Sequence, residues 1–305
     1  MPRPLWRDLL TGYSKLTTRY LLFAALWLTL PLPAQPLPAK WEELTGPDFV
    51  QALDQARGVC LLPFGIIEKH GPSGPLGTDL INVRYATVNA TKQEYAIVFP
   101  EYFAGQIFEA KHQPGTIAYS SHLQMEMLQE TTQEMARNGC RKIIIVNGHG
   151  GNNSLLQYFV HEQIEHARGY VVYSLMNTGG GPEQGPAAPS KPGVDGHAGE
   201  GEISNVMASR PDLAHPERAG SESGKDQRRL DLPEGMSTGI NWYSRFPNHY
   251  QGDATGATAA RGQAAQQIRS DKIAAAIRAA KADETSLRLQ NEFQEAERRP
   301  MNTKQ

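Results

Sequence analysis

Four short apolar runs, separated by amphipathic segments, constrain the fold of this chain more than any other feature. The runs cover residues 59–64, 96–99, 142–146 and 170–175, and they are rich in β-branched and aromatic side chains. Strands with uninterrupted apolar sequences are typical of parallel sheets that helices cover on both faces. We therefore predict an α/β protein with three α/β/α layers and a mainly parallel sheet.

The segments between and after the apolar runs predict helices. Ser121 is placed to cap a helix over residues 122–137, and a second helix is expected over residues 154–166. An Ala-rich segment predicts a long helix over residues 257–282. Residues 179–193 contain several Pro and Gly and predict a solvent-exposed loop without secondary structure, which is either a rim or lid over a site or a passive excursion.

The N-terminus resembles a targeting segment. Basic residues precede an apolar run over residues 20–30, and Pro-Leu-Pro-Ala follows it, so residues 1–34 predict a signal peptide cleaved after Ala34. The alternative is an uncleaved anchor, although the run is shorter than the roughly 20 residues of a spanning helix. We expect an exported protein, periplasmic or secreted, with no stable membrane span after processing.

Beyond the signal peptide, we expect one domain over residues 35–285 and a polar, frayed tail over residues 286–305. The 30 Lys and Arg residues nearly balance the 32 Asp and Glu residues and are scattered among them. This pattern argues against a nucleic-acid partner. Cys60 and Cys140 each begin an apolar run, where they either form a disulfide or lie buried as free thiols.

Potential metal ligands occur in three clusters, and glycines stand beside each of them. Carboxylates and imidazoles bind Zn²⁺, Mn²⁺ or Fe²⁺, and an open coordination position on such an ion acidifies a bound water. The first two clusters directly follow apolar runs, which places them at the carboxyl ends of parallel strands. The clusters contain Glu68, His70 and Asp79; His149; and His197 and Glu202.

The order and spacing of these clusters resemble the creatininase (creatinine amidohydrolase) family, in a member other than creatininase proper. The similarity rests on Leu-Pro-Phe-Gly-Ile-Ile-Glu-Lys-His-Gly-Pro at residues 62–72, Pro-Leu-Gly-Thr-Asp at 75–79 and Pro-Gly-Thr at 114–116. It continues with Asn-Gly-His-Gly-Gly-Asn at 147–152 and with His-Ala-Gly at 197–199. Together the motifs extend over most of the chain.

The resemblance implies a catalytic centre with two divalent metal ions, which are Zn, Mn or Fe. It implies Glu68, His70, Asp79, His149 and Glu202 as metal ligands, with Asp79 bridging the two ions. It also implies His197 as the catalytic residue, with an orienting role as the alternative. Gly151 stands where creatininase has a ligating glutamate, so Glu202 is expected to supply that carboxylate, whereas Glu200 is expected to be a solvated residue at a helix start.

The same resemblance implies hydrolysis of a C–N bond in a cyclic or linear amide by metal-activated water. Ser73 and Gly74 replace a histidine and a leucine of the family motif, and no Trp occurs between Trp41 and Trp242, which argues against creatinine as the substrate. A peptidase or formamide hydrolase of the same family is one alternative, and a non-catalytic, metal-stabilised periplasmic binding protein is another. The expected partners are a small-molecule amide or short peptide and further copies of the chain, in a hexamer by resemblance.

Overall fold

A parallel sheet of four strands lies at the centre of the part of the chain that the structure, a computed structural model, describes: residues 37–176 and 185–302. The spatial order is β2-β1-β3-β4, and each neighbouring pair is parallel. The predicted α/β class and parallel sheet are therefore confirmed. The strands are β1 Val59–Phe64, β2 Ile97–Val98, β3 Lys142–Asn147 and β4 Val171–Leu175.

Helices cover both faces of the sheet. On one face, Leu61 and Ile144 pack with Val83 of α2 and Ile277 of α7. Successive strand residues point to opposite faces, so Cys60 lies on the other face, beside α3. The helices are α1 Gly46–Gln55, α2 Thr78–Thr91, α3 Ser121–Arg137, α4 Asn153–Glu162, α5 Glu200–Ser209, α6 Asn241–Arg245, α7 Ala259–Ala282 and α8 Ser286–Glu297.

The two cysteines form a disulfide, which resolves the alternatives that the sequence leaves open. Cys60 in β1 is bonded to Cys140, which lies between α3 and β3, and both residues are fully buried. The bond ties β1 to the end of α3 across 80 residues of sequence. Closing a loop of that length restricts the unfolded chain and typically stabilises a fold by about 2–4 kcal/mol.

Predicted helix boundaries differ from the structure by one to four residues. Helix α3 begins at Ser121 rather than at 122, because the hydroxyl of Ser120 accepts the hydrogen bond from the backbone N–H of Leu123 at 3.4 Å. Helix α4 ends at Glu162 rather than at 166. The next residues form tighter backbone bonds, such as Ile164 N–H to His161 O at 3.2 Å, so the helical pattern does not continue.

The polar tail is not frayed over its first half, and that prediction is wrong. Residues 286–297 form α8, which docks onto the domain through side-chain amides. Gln290 donates to the backbone oxygen of Tyr170 at 3.2 Å, and the buried Gln294 donates to that of Ile164 at 2.6 Å. Polar anchoring explains how a charged segment becomes ordered without a wide apolar face.

The predicted signal peptide at residues 1–34 and part of the predicted loop, residues 179–184, lie outside the described residues. The described remainder of the loop is not wholly irregular, because Gly185–Ala187 forms a short 3₁₀ helix and Ala187 is buried. Among the described helices, none is both long enough and apolar enough to cross a membrane.

Candidate metal centre

The loops that follow β1 and β3 bring the first two ligand clusters together. Phe64 at the end of β1 is paired with Asn147 at the end of β3, so both loops leave the sheet at the same level. Glu68 and His70 lie in the first loop, and His149 lies in the second. All three side chains are buried at the carboxyl edge of the sheet, where open parallel sheets place their sites.

Asp79 contacts both His70 and His149. It occupies the first turn of α2, and one of its oxygens, Oδ1, is 3.3 Å from Nε2 of His70. Its other oxygen, Oδ2, is 3.1 Å from Nδ1 of His149. Each oxygen of one buried carboxylate therefore faces a different imidazole.

Glu68 approaches the same two histidines and a third one. Its Oε1 atom is 3.1 Å from Nδ1 of His149 and 3.9 Å from Nε2 of His70. The same oxygen is 3.8 Å from Nδ1 of His197. Oε1 thus faces three histidines of the centre.

The third cluster reaches the centre through a strained turn and α5. Glu202 Oε2 is 3.6 Å from Nε2 of His70 and accepts the backbone N–H of Ala198 at 2.7 Å. Ala198 has φ 60°, an unusual backbone conformation for a residue with a side chain, and such strain often occurs at functional sites. The ring of His197 lies 4.6 Å from that of His70, so the structure brings all six predicted residues together.

Several atoms of the cluster are buried without a hydrogen-bond partner in the described part of the chain. They include Glu68 Oε1, His70 Nε2, Asp79 Oδ2 and His149 Nε2. Buried polar atoms are rarely left unsatisfied, so a group of them converging on one place indicates a ligand. His70 also donates its Nδ1–H to the backbone oxygen of Glu68, as metal-binding histidines commonly do with their second nitrogen. These residues therefore fit divalent cations that prefer oxygen and nitrogen ligands.

The electrostatics of the cluster agree with that fit. Burial raises the pKa of the Glu68 carboxyl, but the nearby His197 and His149 outweigh it and hold the pKa well below its usual value. Asp79 behaves in the same way beside His70 and His149. In the absence of a cation, protons on the histidines would balance the negative charge, and cation binding would displace them.

His70 shows the opposite balance. Burial lowers the pKa of its imidazole, but the carboxylate of Asp79, followed by those of Glu68 and Glu202, raises it to about 10. The pKa of His149 is raised well above its usual value, because Glu68 and Asp79 outweigh its burial.

Gly151 cannot contribute a side chain in this arrangement. A Cβ atom built at this position would lie 2.4 Å from Nε2 of His149 and 3.3 Å from the backbone oxygen of Gln106. The loop therefore approaches the imidazole too closely for the glutamate expected in creatininase. Glu202 is the carboxylate that reaches His70 instead.

Glu200 differs from its prediction as a solvated residue. It is 2% exposed, accepts hydrogen bonds from the backbone N–H and hydroxyl of Ser190, and lies 3.3 Å from Nη1 of Arg261. Arg261 also binds Asp195 at 2.6 Å and the backbone oxygen of Ala187 at 2.9 Å. Glu200 is buried because it helps to fasten the loop that precedes His197 to α7.

Two residues of the centre are absent from the sequence-based set. His249 is 2% exposed, and its Nε2 contacts Oε2 of Glu68. Trp242 donates its indole N–H to Nδ1 of His249 at 2.8 Å, and its ring forms a T-shaped pair with that of His197, with centroids 5.9 Å apart. Burial and the neighbouring His197 and His70 lower the pKa of His249, and the hydrogen bond with Glu68 opposes them. No motif marks either residue, because the short helix α6 that carries Trp242 and the turn that carries His249 reach the site only in the folded chain.

Comparison with known proteins identifies the family. The creatininase family model, described as creatinine amidohydrolase, matches residues 42–277. The chain belongs to the creatininase family. The resemblance seen in the motifs is thus confirmed, and creatininase-family homologues are amidohydrolases that act on C–N bonds.

Curated relatives of this creatininase-family protein include two kinds of enzyme. The mycofactocin precursor peptide peptidase of Mycolicibacterium smegmatis is 28% identical over 212 residues, which cover 67% of this chain and 78% of that protein. The creatinine amidohydrolase of Pseudomonas putida is 25% identical over 119 residues, 37% of this chain and 46% of that protein.

Solved structures share the fold at lower identity. A crystal structure of creatinine amidohydrolase matches with a TM-score of 0.65 and 20% identity, over 81% of this chain and 100% of that one. A putative creatinine amidohydrolase from Bacteroides fragilis matches with a TM-score of 0.64 and 17% identity, over 82% of this chain and 99% of that one. Other creatininase structures are described as Zn-Zn and Mn forms.

Proposed function

We propose that this creatininase-family protein is a metal-dependent amidohydrolase that uses two divalent cations to hydrolyse the C–N bond of a linear amide or short peptide. The observation that carries the proposal is the position of Asp79, which turns one oxygen toward His70 and the other toward His149. A carboxylate whose two oxygens face two different histidines is suited to bridge two ions, one beside each histidine.

The remaining ligands fall on either side of Asp79. Glu68, Asp79 and His149 form one group whose ligand atoms lie within 4.8 Å of one another. His70 and Glu202 belong to a second such group, together with His197. When bound there, Zn²⁺ or Mn²⁺ would supply Lewis acidity for the amide carbonyl and for an attacking water.

His197 is placed to move a proton. Its Nε2 lies 2.7 Å from the backbone oxygen of Lys69, which can only accept, so Nε2 carries the hydrogen. The remaining nitrogen, Nδ1, faces the centre at 3.8 Å from Glu68 Oε1. We propose that Nδ1 takes up a proton during attack and returns it to the leaving nitrogen, which a binding protein without catalysis would not require.

The loop after β1 supports a substrate other than creatinine. A Cβ atom at Gly74 would lie 2.8 Å from Cβ of His70 and 2.9 Å from Ile203, so the leucine of the family motif has no room here. Ser73 is buried, where the motif has a histidine. The similarity to a peptidase over two thirds of the chain favours a linear peptide bond, with a formamide or a cyclic amide as the alternative.

The proposed reaction is tested by removing the metal with a chelator, restoring Zn²⁺ or Mn²⁺ separately, and assaying short peptides, formamides, lactams and creatinine. We expect hydrolysis of a linear peptide or amide only after metal is restored. The matched control is Asp212→Asn, an exposed aspartate paired with Arg210, which should leave activity unchanged. Metal-independent hydrolysis, or cleavage of creatinine alone, would contradict the proposal.

We also propose that the protein is exported, because the pattern of residues 1–34 matches a secretory signal peptide. The Cys60–Cys140 disulfide supports an oxidising compartment such as the periplasm or the extracellular space. A homo-oligomer stays an expectation from the family resemblance.

A further inference from the structure

The two oxygens of Glu68 have different surroundings. Oε1 faces His149, His70 and His197 and has no hydrogen-bond partner among the described residues. Oε2 is contacted instead by Nε2 of His249. One oxygen is therefore available to a cation, and the other is already engaged by the protein.

The Trp242 indole and the Glu68 carboxylate together determine which nitrogen of His249 carries the hydrogen. The indole N–H can only donate, and it lies 2.8 Å from Nδ1 of His249, so Nδ1 must be the acceptor. In a doubly protonated ring, the N–H at Nδ1 would face the indole N–H, and neither group could accept a hydrogen bond. The neutral ring then carries its hydrogen on Nε2 and donates it to Oε2 of Glu68.

The surrounding fold holds this arrangement in place. His249 has φ 54°, a left-handed conformation that is uncommon outside glycine, and its backbone N–H donates to Phe246 O at 3.0 Å. Its ring lies 4.3 Å from that of His197, and Trp242 touches both imidazoles from α6. Strain of this kind persists only where neighbouring contacts over-determine the conformation.

We propose that Trp242 and His249 are positioning residues that make Glu68 present one oxygen, Oε1, to the metal centre. The Trp242 N–H holds Nδ1 of His249 as an acceptor, and Nε2 of His249 holds Oε2, so Glu68 would bind a cation through a single oxygen. The inference rests on the proposed metal-dependent function. The hydrogen-bonded chain from Trp242 through His249 to Glu68 begins at two residues that lie outside the motifs of the family.

The tautomer is measured on the metal-free protein by ¹⁵N NMR of the histidine rings, with the His249→Gln spectrum assigning the signal. Wild-type His249 should show a protonated Nε2 and an unprotonated Nδ1. Trp242→Phe keeps a ring but removes the N–H, so the ¹⁵N signal of Nδ1 should move to that of an imidazole nitrogen without a hydrogen bond. Trp41→Phe is the matched control, since Trp41 packs against Phe49 and Phe99, and it should leave His249 unchanged.

Cation affinity is measured on the same proteins by Zn²⁺ titration against a competing chelator, after thermal unfolding has established that each variant folds. Supporting residues around a metal site typically change affinity about 10–100-fold, and we expect a loss in that range for His249→Ala. Trp242→Phe should lose less, and His249→Gln should retain more than His249→Ala because its amide can donate to Oε2.

An unchanged ¹⁵N signal of Nδ1 or an unchanged Zn²⁺ affinity in Trp242→Phe would overturn the proposal, as would a wild-type His249 with its hydrogen on Nδ1. Neither measurement uses a substrate. If both give the expected result while the wild-type protein hydrolyses no amide, the proposed function fails and the positioning of Glu68 stands.

Discussion

At the scale of single residues, the centre depends on how each donor atom is turned. Hydrogen bonds to the backbone fix His70 and His197 so that Nε2 of the first and Nδ1 of the second point inward. Both residues could be predicted from the sequence, because each lies within a short motif. His249 was not predictable, since it approaches Glu68 from 181 residues away, in a loop whose sequence has no regular period.

His197→Ala tests the proton-transfer role. The backbone bond of His197 to Lys69 O leaves only Nδ1 for chemistry, so the variant should retain its metals and slow turnover by about 10²–10⁴-fold, the usual contribution of a positioned acid or base. Metal content by mass spectrometry and kcat on the best substrate are the measurements. Loss of the metals would instead make His197 a ligand.

The raised pKa of His70 predicts how the metal-free protein responds to pH. Its folded-state pKa is about 10, against about 6.5 in an unfolded chain, so the charged ring stabilises the fold fully below about pH 6.5. That contribution is lost as the pH rises toward 10. Thermal unfolding of the metal-free protein should therefore show falling stability over this window, and His70→Gln should reduce the slope. An equal slope in both proteins would contradict the assignment.

At the scale of elements, the sequence predicts the sheet well and the irregular segments poorly. Strands buried on both faces produce apolar runs that need no tertiary information, and β1 and β3 appear at the expected places. Helix α8 was missed because its docking uses two amide side chains rather than an apolar stripe. Glu200 was misplaced because its burial depends on a loop folding back from Ala187 to Asp195.

The two glutamates at the start of α5 form a matched pair of variants. Glu202→Gln should lower metal occupancy and activity about 10–100-fold, because its carboxylate faces His70. Glu200→Gln should keep the metals but lower the free energy of unfolding by about 1–3 kcal/mol, because it weakens a buried contact with Arg261. Metal analysis and chemical unfolding distinguish them, and a reversed pattern would show that Glu200 is the ligand.

At the scale of the whole molecule, the proposed export makes two predictions, one for the N-terminus and one for the disulfide. Protein recovered from the native envelope should begin near Gln35, and Cys60 and Cys140 should resist thiol labelling until a reductant is added. Intact-mass spectrometry before and after reduction measures both. An intact Met1 on soluble cytoplasmic protein would contradict export.

The central claim is a pair of cations bridged by one carboxylate, and the metal content of Asp79→Asn tests it most directly. The purified wild-type protein, stripped and reloaded, should contain two divalent ions per chain by elemental mass spectrometry. Asp79→Asn should lose more metal than Glu202→Gln, because Asp79 contacts both His70 and His149, whereas Glu202 belongs to the group of His70 and His197 alone. An Asp79→Asn protein that retains two ions per chain with unaltered activity would contradict the account.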